Sequence, residues 1–186
     1  MKSRIPTAVV LFAVLAVLLA GSAQAASTTY TDPAGDSFDG RASMDIVAVR
    51  YDVRQVDKGG PLSLVVEMEL AAPPEGALAS YVTDARSDDC GAVRTSYGTG
   101  TAAINVGGSG PRGYFYLGCT DTSVRAEIGI DGNTVQVSIP MDGLPKQMRE
   151  GSTFRGLKAS ALLTQANWTG AGHPVDKAST ARSWSY

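Results

Sequence analysis

Residues 45–70 read DIVAVRYDVRQVDKGGPLSLVVEMEL, and apolar side chains recur within them at about every second position. From Asp45 to Val53, and again from Leu62 to Leu70, this alternation is the period of a strand with one buried face. Asp57-Lys58-Gly59-Gly60 lies between the two runs and is typical of a hairpin turn. The stretch therefore predicts two antiparallel strands. The expected core-facing residues are Val47, Val49, Tyr51 and Val53 on the first strand and Leu62, Leu64, Val66, Met68 and Leu70 on the second.

The same period recurs farther along the chain. Residues 124–130 and 135–139 alternate around Asp131-Gly132-Asn133, whose composition suits a tight hairpin. Helical signals are few, and residues 144–149 are expected to form a single turn. Further short strands are expected at residues 81–83, 94–97, 102–106, 114–117 and 154–163. About seven to nine strands with little helix predict an all-β fold, an antiparallel β-sandwich of jelly-roll or immunoglobulin-like type, with a barrel as the alternative.

The first 25 residues have the layout of a secretory signal peptide. Lys2 and Arg4 give a positive start, residues 8–20 are apolar, and Ala23-Gln24-Ala25 is a small-x-small cleavage site. An uncleaved N-terminal anchor is the alternative, and it is disfavoured because the apolar run is shorter than the ~20 residues that a spanning helix needs. We expect residues 26–186 to form one secreted, extracellular domain that does not enter a membrane.

The charge of the chain does not favour a polyanionic partner. It has 16 basic and 18 acidic residues, a net charge of −2 with histidine neutral. Removal of Lys2 and Arg4 with the leader leaves 14 basic against 18 acidic residues, a net charge of −4. Because no basic stripe or aromatic–basic interleaving is present in the sequence, we expect no nucleic-acid partner.

Cys90 and Cys119 are the two cysteines of the chain. In the oxidising compartment that export implies, such a pair commonly forms a disulfide, and we expect one here. Two buried thiols or a metal-binding pair are the alternatives, although a metal site needs further ligands at local spacing.

Four aspartates crowd the segment before the first hairpin: Asp32, Asp36, Asp39 and Asp45. Carboxylates on a tight turn suit a hard cation such as Ca²⁺, which binds side-chain and backbone oxygens. Their mutual repulsion also requires a cation or solvent to screen it. The alternative is that they only form turns, because aspartate side chains accept hydrogen bonds from nearby backbone N–H groups.

Asp32-Pro33-Ala34-Gly35-Asp36, followed by Asp45-Ile46 and an alternating strand, resembles secreted bacterial β-sandwich domains. These are related to family 9 carbohydrate-binding modules and to DOMON-like domains. The resemblance covers residues 30–70. It implies a β-sandwich with a structural calcium near the first strand, and it assigns ligand roles to Asp32, Asp36 and Asp45.

Late aromatic residues are candidates for contact with a ligand: Trp168, Trp184 and Tyr186. The interpretation we favour for the last two is structural, with a terminal strand anchored by its aromatic rings. The single histidine, His173, lies in a segment whose sequence is typical of a loop. A nucleophile–base pair would need a serine beside it and an orienting acid such as Asp176, and no serine lies in a Gly-x-Ser-x-Gly elbow.

Taken together, these features predict a secreted, non-catalytic binding domain, with calcium as a structural cofactor. Its partner is expected to be a polysaccharide, another cell-wall component, or a secreted or cell-surface protein. A secreted hydrolase with a site carried on loops is one alternative. A protein inhibitor that presents the segment from Gly91 to Gly118 is another.

Overall fold

The computed structural model describes residues 27–75, 79–98, 112–163 and 173–186. The predicted leader, the predicted strand at residues 102–106 and Trp168 lie outside the described residues. Within the described part, no helix has the length and hydrophobicity needed to span a bilayer.

The described residues form eleven β-strands and three single-turn helices. The strands are β1 (Thr28–Thr31), β2 (Ile46–Gln55), β3 (Leu62–Leu70), β4 (Ala79–Ser87), β5 (Gly91–Gly98), β6 (Arg112–Leu117), β7 (Thr122–Asp131), β8 (Thr134–Pro140), β9 (Thr153–Leu163), β10 (His173–Ser179) and β11 (Trp184–Ser185). The helical turns are the 3-10 helices Ala42–Met44 and Met141–Gly143 and the α-helix Lys146–Arg149.

All strands belong to one continuous antiparallel sheet in the order β1-β2-β3-β8-β7-β6-β5-β4-β9-β10, with β11 paired to β9. Strand β7 joins its two halves, because residues 122–126 pair with β6 whereas residues 127–131 pair with β8. The ends of the sheet then meet, since the Phe38 N–H donates to the Val175 carbonyl at 2.8 Å. We call the place where β10 meets the β1–β2 loop and the start of β2 the seam.

The all-β, antiparallel class is therefore confirmed, but two details of the prediction need correction. The count of seven to nine strands is too low, and the sheet is continuous and nearly closed, like a barrel. Strands β1 and β10, which were not predicted, raise the count, and β10 brings one end of the sheet to the β1–β2 loop. His173 begins β10 opposite Leu163, so this backbone is a strand and not a loop.

The β2–β3 hairpin supplies much of the core in the predicted register. Tyr51 lies opposite Val66, and both side chains are buried. A bulge between Ile46 and Ala48 shifts the alternation at the start of β2, which buries Ile46 and leaves Val47 partly exposed. Leu62 is 53% exposed because it lies at the outer end of β3. The two corrections are confined to the strand ends.

A disulfide joins Cys90 to Cys119, as the sequence predicts. It connects the β4–β5 turn to the β6–β7 turn, where the Gly118 N–H donates to the Ala92 carbonyl at 2.7 Å. A Cβ atom at Gly118 would lie 2.9 Å from the Ala92 nitrogen, so only glycine fits without a backbone shift. In the chain-entropy model the crosslink stabilises the folded protein by about 3.5 kcal/mol, because it restricts the unfolded chain.

Candidate cation site

The β1–β2 loop is held in a defined shape by backbone hydrogen bonds. The Asp32 N–H donates to the Val47 carbonyl at 2.8 Å, and the Gly40 N–H donates to the Ser37 carbonyl at 3.0 Å. Gly35 has a φ of 88°, which a side chain would rarely allow. The loop therefore returns on itself and brings its first and last aspartates together.

Three carboxylates meet at the seam. Asp32, Asp36 and Asp176 each offer an oxygen atom, and these atoms all lie within 4.8 Å of one another. Asp36 is exposed, Asp32 is half-buried and Asp176 is buried, so the group runs from the surface inward. Two oxygens on opposite sides of one calcium ion are at most about 5 Å apart, which this spacing satisfies.

Asp45 is close enough for its charge to act on Asp32 and Asp176, and it is 2% exposed. Its Oδ2 accepts a hydrogen bond from the Gly35 N–H at 2.6 Å, whereas its Oδ1 is buried without a partner. Asp32 Oδ2 is likewise buried and unpartnered. Two buried carboxylate oxygens without donors are costly, because burial removes the water that would solvate them.

Asp176 reaches the site from the other end of the sheet. Its Oδ2 accepts a hydrogen bond from the Ile46 N–H at 2.6 Å, across 130 positions of sequence. A register shift in β10 between Pro174 and Asp176 accompanies this placement. From sequence, Asp176 is a candidate only as an orienting acid for His173, since no local spacing links it to the aspartates of the first loop.

Burial and like charge act together on the carboxyl groups of the site. Burial, followed by the charges of Asp176, Asp36 and Asp45, raises the pKa of Asp32 from 3.8 to about 6. Burial also raises the pKa of Asp176, against the opposing hydrogen bonds from the Ile46 and Lys177 backbone. The site therefore favours a bound positive charge, either a proton or a cation.

Asp39, the remaining predicted ligand, is placed differently. Its Oδ1 accepts a hydrogen bond from the Arg41 N–H at 3.1 Å, and its Oδ2 pairs with Arg41 Nε at 3.1 Å. Asp39 is not among the three carboxylates that converge within 4.8 Å. Its carboxylate is already neutralised by a neighbouring arginine.

The donor set at the seam fits a hard cation. Carboxylate oxygens are the ligands that Ca²⁺ takes in proteins, with six to eight oxygens in a flexible arrangement. Asp32, Asp36 and Asp176 would hold such an ion, whereas Asp45 is not among the carboxylates that converge within 4.8 Å. A cation there would join the β1–β2 loop to β10.

The C-terminal aromatic residues lie in the core. Trp184 is 3% exposed and packs against Tyr51, Phe154 and Tyr186, with ring centroids 5.8, 5.5 and 5.1 Å away. The Tyr186 hydroxyl donates to the Met148 carbonyl at 2.8 Å. The structure thus supports the anchoring role, and it corrects the proposal of Trp184 as a ligand contact because its ring is enclosed.

A second cluster of polar side chains lies at the β4–β5 turn. The hydroxyls of Ser87 and Ser152 are hydrogen-bonded at 2.7 Å, and Ser152 donates to Asp89 Oδ2 at 2.8 Å. Ser87 Oγ also accepts the Asp89 and Cys90 N–H groups. These bonds hold the turn beside the disulfide.

Charged side chains also cover the outer face of β2 and β3. Asp52 accepts hydrogen bonds from Arg50 at 2.7 Å and Arg54 at 3.2 Å, and Arg54 also pairs with Glu67. A groove of about 220 Å³ lies beside them, lined by Thr29, Ala48, Arg50, Glu67, Glu69 and Thr134. Because Arg54 and Glu67 neutralise each other, ion pairs between the two strands account for the charged side chains on this face.

No family model matches the chain, and comparison with curated proteins and with solved structures likewise found no match.

Proposed function

We propose that this protein is a secreted, non-catalytic binding domain whose first loop is fixed by Ca²⁺. Its partner is a polysaccharide, another cell-wall component or a secreted protein. The observation that carries the proposal is the convergence of Asp32, Asp36 and Asp176 at the seam. In this account the ion is structural, because it ties the two ends of the sheet together.

The energetics of the site favour calcium over an empty cluster. Like charges this close repel one another strongly where water is partly excluded. A divalent ion reverses the sign of that interaction for every carboxylate it contacts. It also gives a partner to Asp32, whose Oδ2 is otherwise buried without one.

Secretion is supported by two features of different kinds. The N-terminal sequence has the charge, length and cleavage pattern of a signal peptide. The Cys90–Cys119 disulfide suits an oxidising compartment outside the cytosol. We further propose a relationship to family 9 carbohydrate-binding modules and DOMON-like domains, since the Asp-Pro-x-Gly-Asp motif forms the β1–β2 loop.

Thermal melting of the secreted form tests the calcium site. At a calcium concentration of a hundred times Kd, we expect the melting temperature to rise by roughly 5–10 °C over that in chelator. Asp36→Asn should at least halve the rise, whereas Asp142→Asn, at an exposed position away from the seam, should keep it. Identical melting in calcium and chelator would contradict the proposed site.

A pull-down with purified cell walls and with secreted proteins tests the binding role. The native domain should be retained by one of these fractions in calcium and released by chelator. Failure to bind any fraction, or retention that calcium does not affect, would count against a calcium-fixed binding domain.

A further inference from the structure

A row of paired residues crosses six strands on the outer face of the sheet, from Lys177 on β10 to Arg125 on β7. The residues between them are uncharged, and they are, strand by strand, Ser160, Val82, Ser96 and Tyr114. Lys177 and Arg125 are both exposed, and neither forms an ion pair within the described part of the chain. Five steps between strands separate the two cations by about 24 Å along the sheet.

The neighbouring row adds two more cations. Lys158 on β9 and Arg94 on β5 lie on either side of Asp84 on β4. Arg94 Nε donates to Asp84 Oδ1 at 2.6 Å, whereas the exposed Lys158 has no ion pair among the described residues. We call the two rows together the basic face, because their four basic residues outnumber their one acidic residue.

The other half of the outer face holds no free cation. The two arginines of β2 pair with carboxylates, Arg50 with Asp52 and Arg54 with Glu67. Strands β1, β3 and β8 contain no lysine or arginine. Although the whole chain has a net charge of −2, its field is therefore positive outside the basic face, where it attracts anions. No run of basic residues marks this face in the sequence, because each cation comes from a different strand.

The spacing of the cations indicates the class of partner. A small anion is held where several donors converge on one point, but Lys177 and Arg125 lie at opposite ends of a row. An extended polymer with repeated negative charges reaches both ends. Lysine and arginine both bind phosphate groups, and the hydroxyls of Ser96 and Ser160 between them add donors for phosphate oxygens.

The shape of the basic face narrows the partner further. Because the sheet is nearly closed, its outer face is convex, so a flexible polymer follows it whereas a straight duplex touches it along one line. Tyr114 and Tyr116 are half-buried, and the Tyr116 hydroxyl donates to Asp121, so neither ring is free to stack on a base. Among the described residues, the exposed large apolar side chains all lie off this face, which disfavours insertion into lipid.

We propose that the basic face binds a flexible polyanion with phosphodiester groups, a phosphate-bearing polymer of the cell wall. Lys177 and Arg125 contact phosphates at the two ends of the row, and Lys158 contacts a third. This inference rests on the proposed function for the location of the protein, and it names the class of the partner and the surface that binds it. The candidate cation site takes no part in this contact.

Retention on immobilised poly(glycerol phosphate), measured in calcium at increasing salt, tests the basic face. The native domain should bind at low salt, and its affinity should fall as salt screens the charges. Lys158→Gln combined with Arg125→Gln should weaken the affinity at least roughly tenfold, because two contacts with phosphate are lost. The matched control, Lys58→Gln combined with Lys146→Gln, changes the net charge equally at exposed positions off this face and should bind as the native domain does.

The inference is overturned if the native domain does not bind this polymer, or if the Lys158→Gln, Arg125→Gln variant binds it equally well. Tighter binding to duplex DNA at the same phosphate concentration also overturns it, since the partner would then be a nucleic acid. Self-association that this variant abolishes, seen by sedimentation, overturns it in favour of a second copy of the chain.

The two proposals fail in different ways. Retention by cell walls without binding to poly(glycerol phosphate) removes the basic face as the binding surface and leaves the proposed function. Identical melting of the native domain in calcium and in chelator removes the cation site, whereas the binding of the polymer by the basic face would stand.

Discussion

Asp32 is the residue at which the cost of gathering the carboxylates is most evident. Its pKa rises from 3.8 to about 6 because of burial and because three further aspartates lie close by. One of its oxygens is buried without a donor. In the absence of a cation, folding therefore takes up a proton between the ordinary pKa of 3.8 and the raised pKa of about 6. The stabilisation from that proton decreases across this range and is lost as the pH rises through about 6.

In metal-free buffer, we therefore expect the melting temperature to fall as the pH is raised from about 4 to about 6.5. The raised pKa of Asp176 adds to the same trend. Calcium should remove or reverse this fall, because the ion binds the ionised carboxylates. Asp32→Asn should stabilise the metal-free protein at the higher pH. Melting curves across this pH range check both effects, and a metal-free protein that becomes more stable with pH would contradict them.

At the level of strands, alternation predicted the elements that carry one apolar face. The bounds of β3 agree with the run from Leu62 to Leu70, and the β7–β8 hairpin turns at Asp131-Gly132-Asn133 as expected. Strands β1 and β10 were not predicted, because apolar and polar residues do not alternate regularly in their sequences, TTYT and HPVDKAS. Pairing with neighbouring strands defines them, and that information is not local. The bulge at Val47 was not predicted either, because it too depends on pairing with a neighbouring strand.

Strand β11 is short, and its tryptophan is buried in the core. Trp184 connects Tyr51 of β2 to Phe154 of β9 inside the sheet. Trp184→Ala should lower the free energy of unfolding by about 3–5 kcal/mol, as expected for a large buried aromatic residue. The half-exposed Ile130→Ala is the control and should cost far less. Urea denaturation measures both, and similar losses would show that Trp184 is not a core anchor.

For the whole molecule, the main consequence of the fold is that its two sheet ends share one site. The sequence predicted the acidic loop and three residues near the site, Asp32, Asp36 and Asp45. It could not predict Asp176, because only near-closure of the sheet brings β10 beside Ile46. Nearness in sequence also does not guarantee nearness in space. Asp39 lies close to the other aspartates in the chain, but it pairs with Arg41 and is not among the convergent carboxylates.

Calorimetric titration of the metal-free, secreted form with Ca²⁺ tests most directly whether these distant carboxylates act together. We expect one bound ion per chain and at least a roughly tenfold weaker affinity in Asp176→Asn, because an oxygen ligand from β10 then loses its charge. Asp131→Asn, at an exposed position on β7, should bind as the native domain does. No binding to the native domain, or equal affinity in Asp176→Asn, would contradict a calcium ion at the seam.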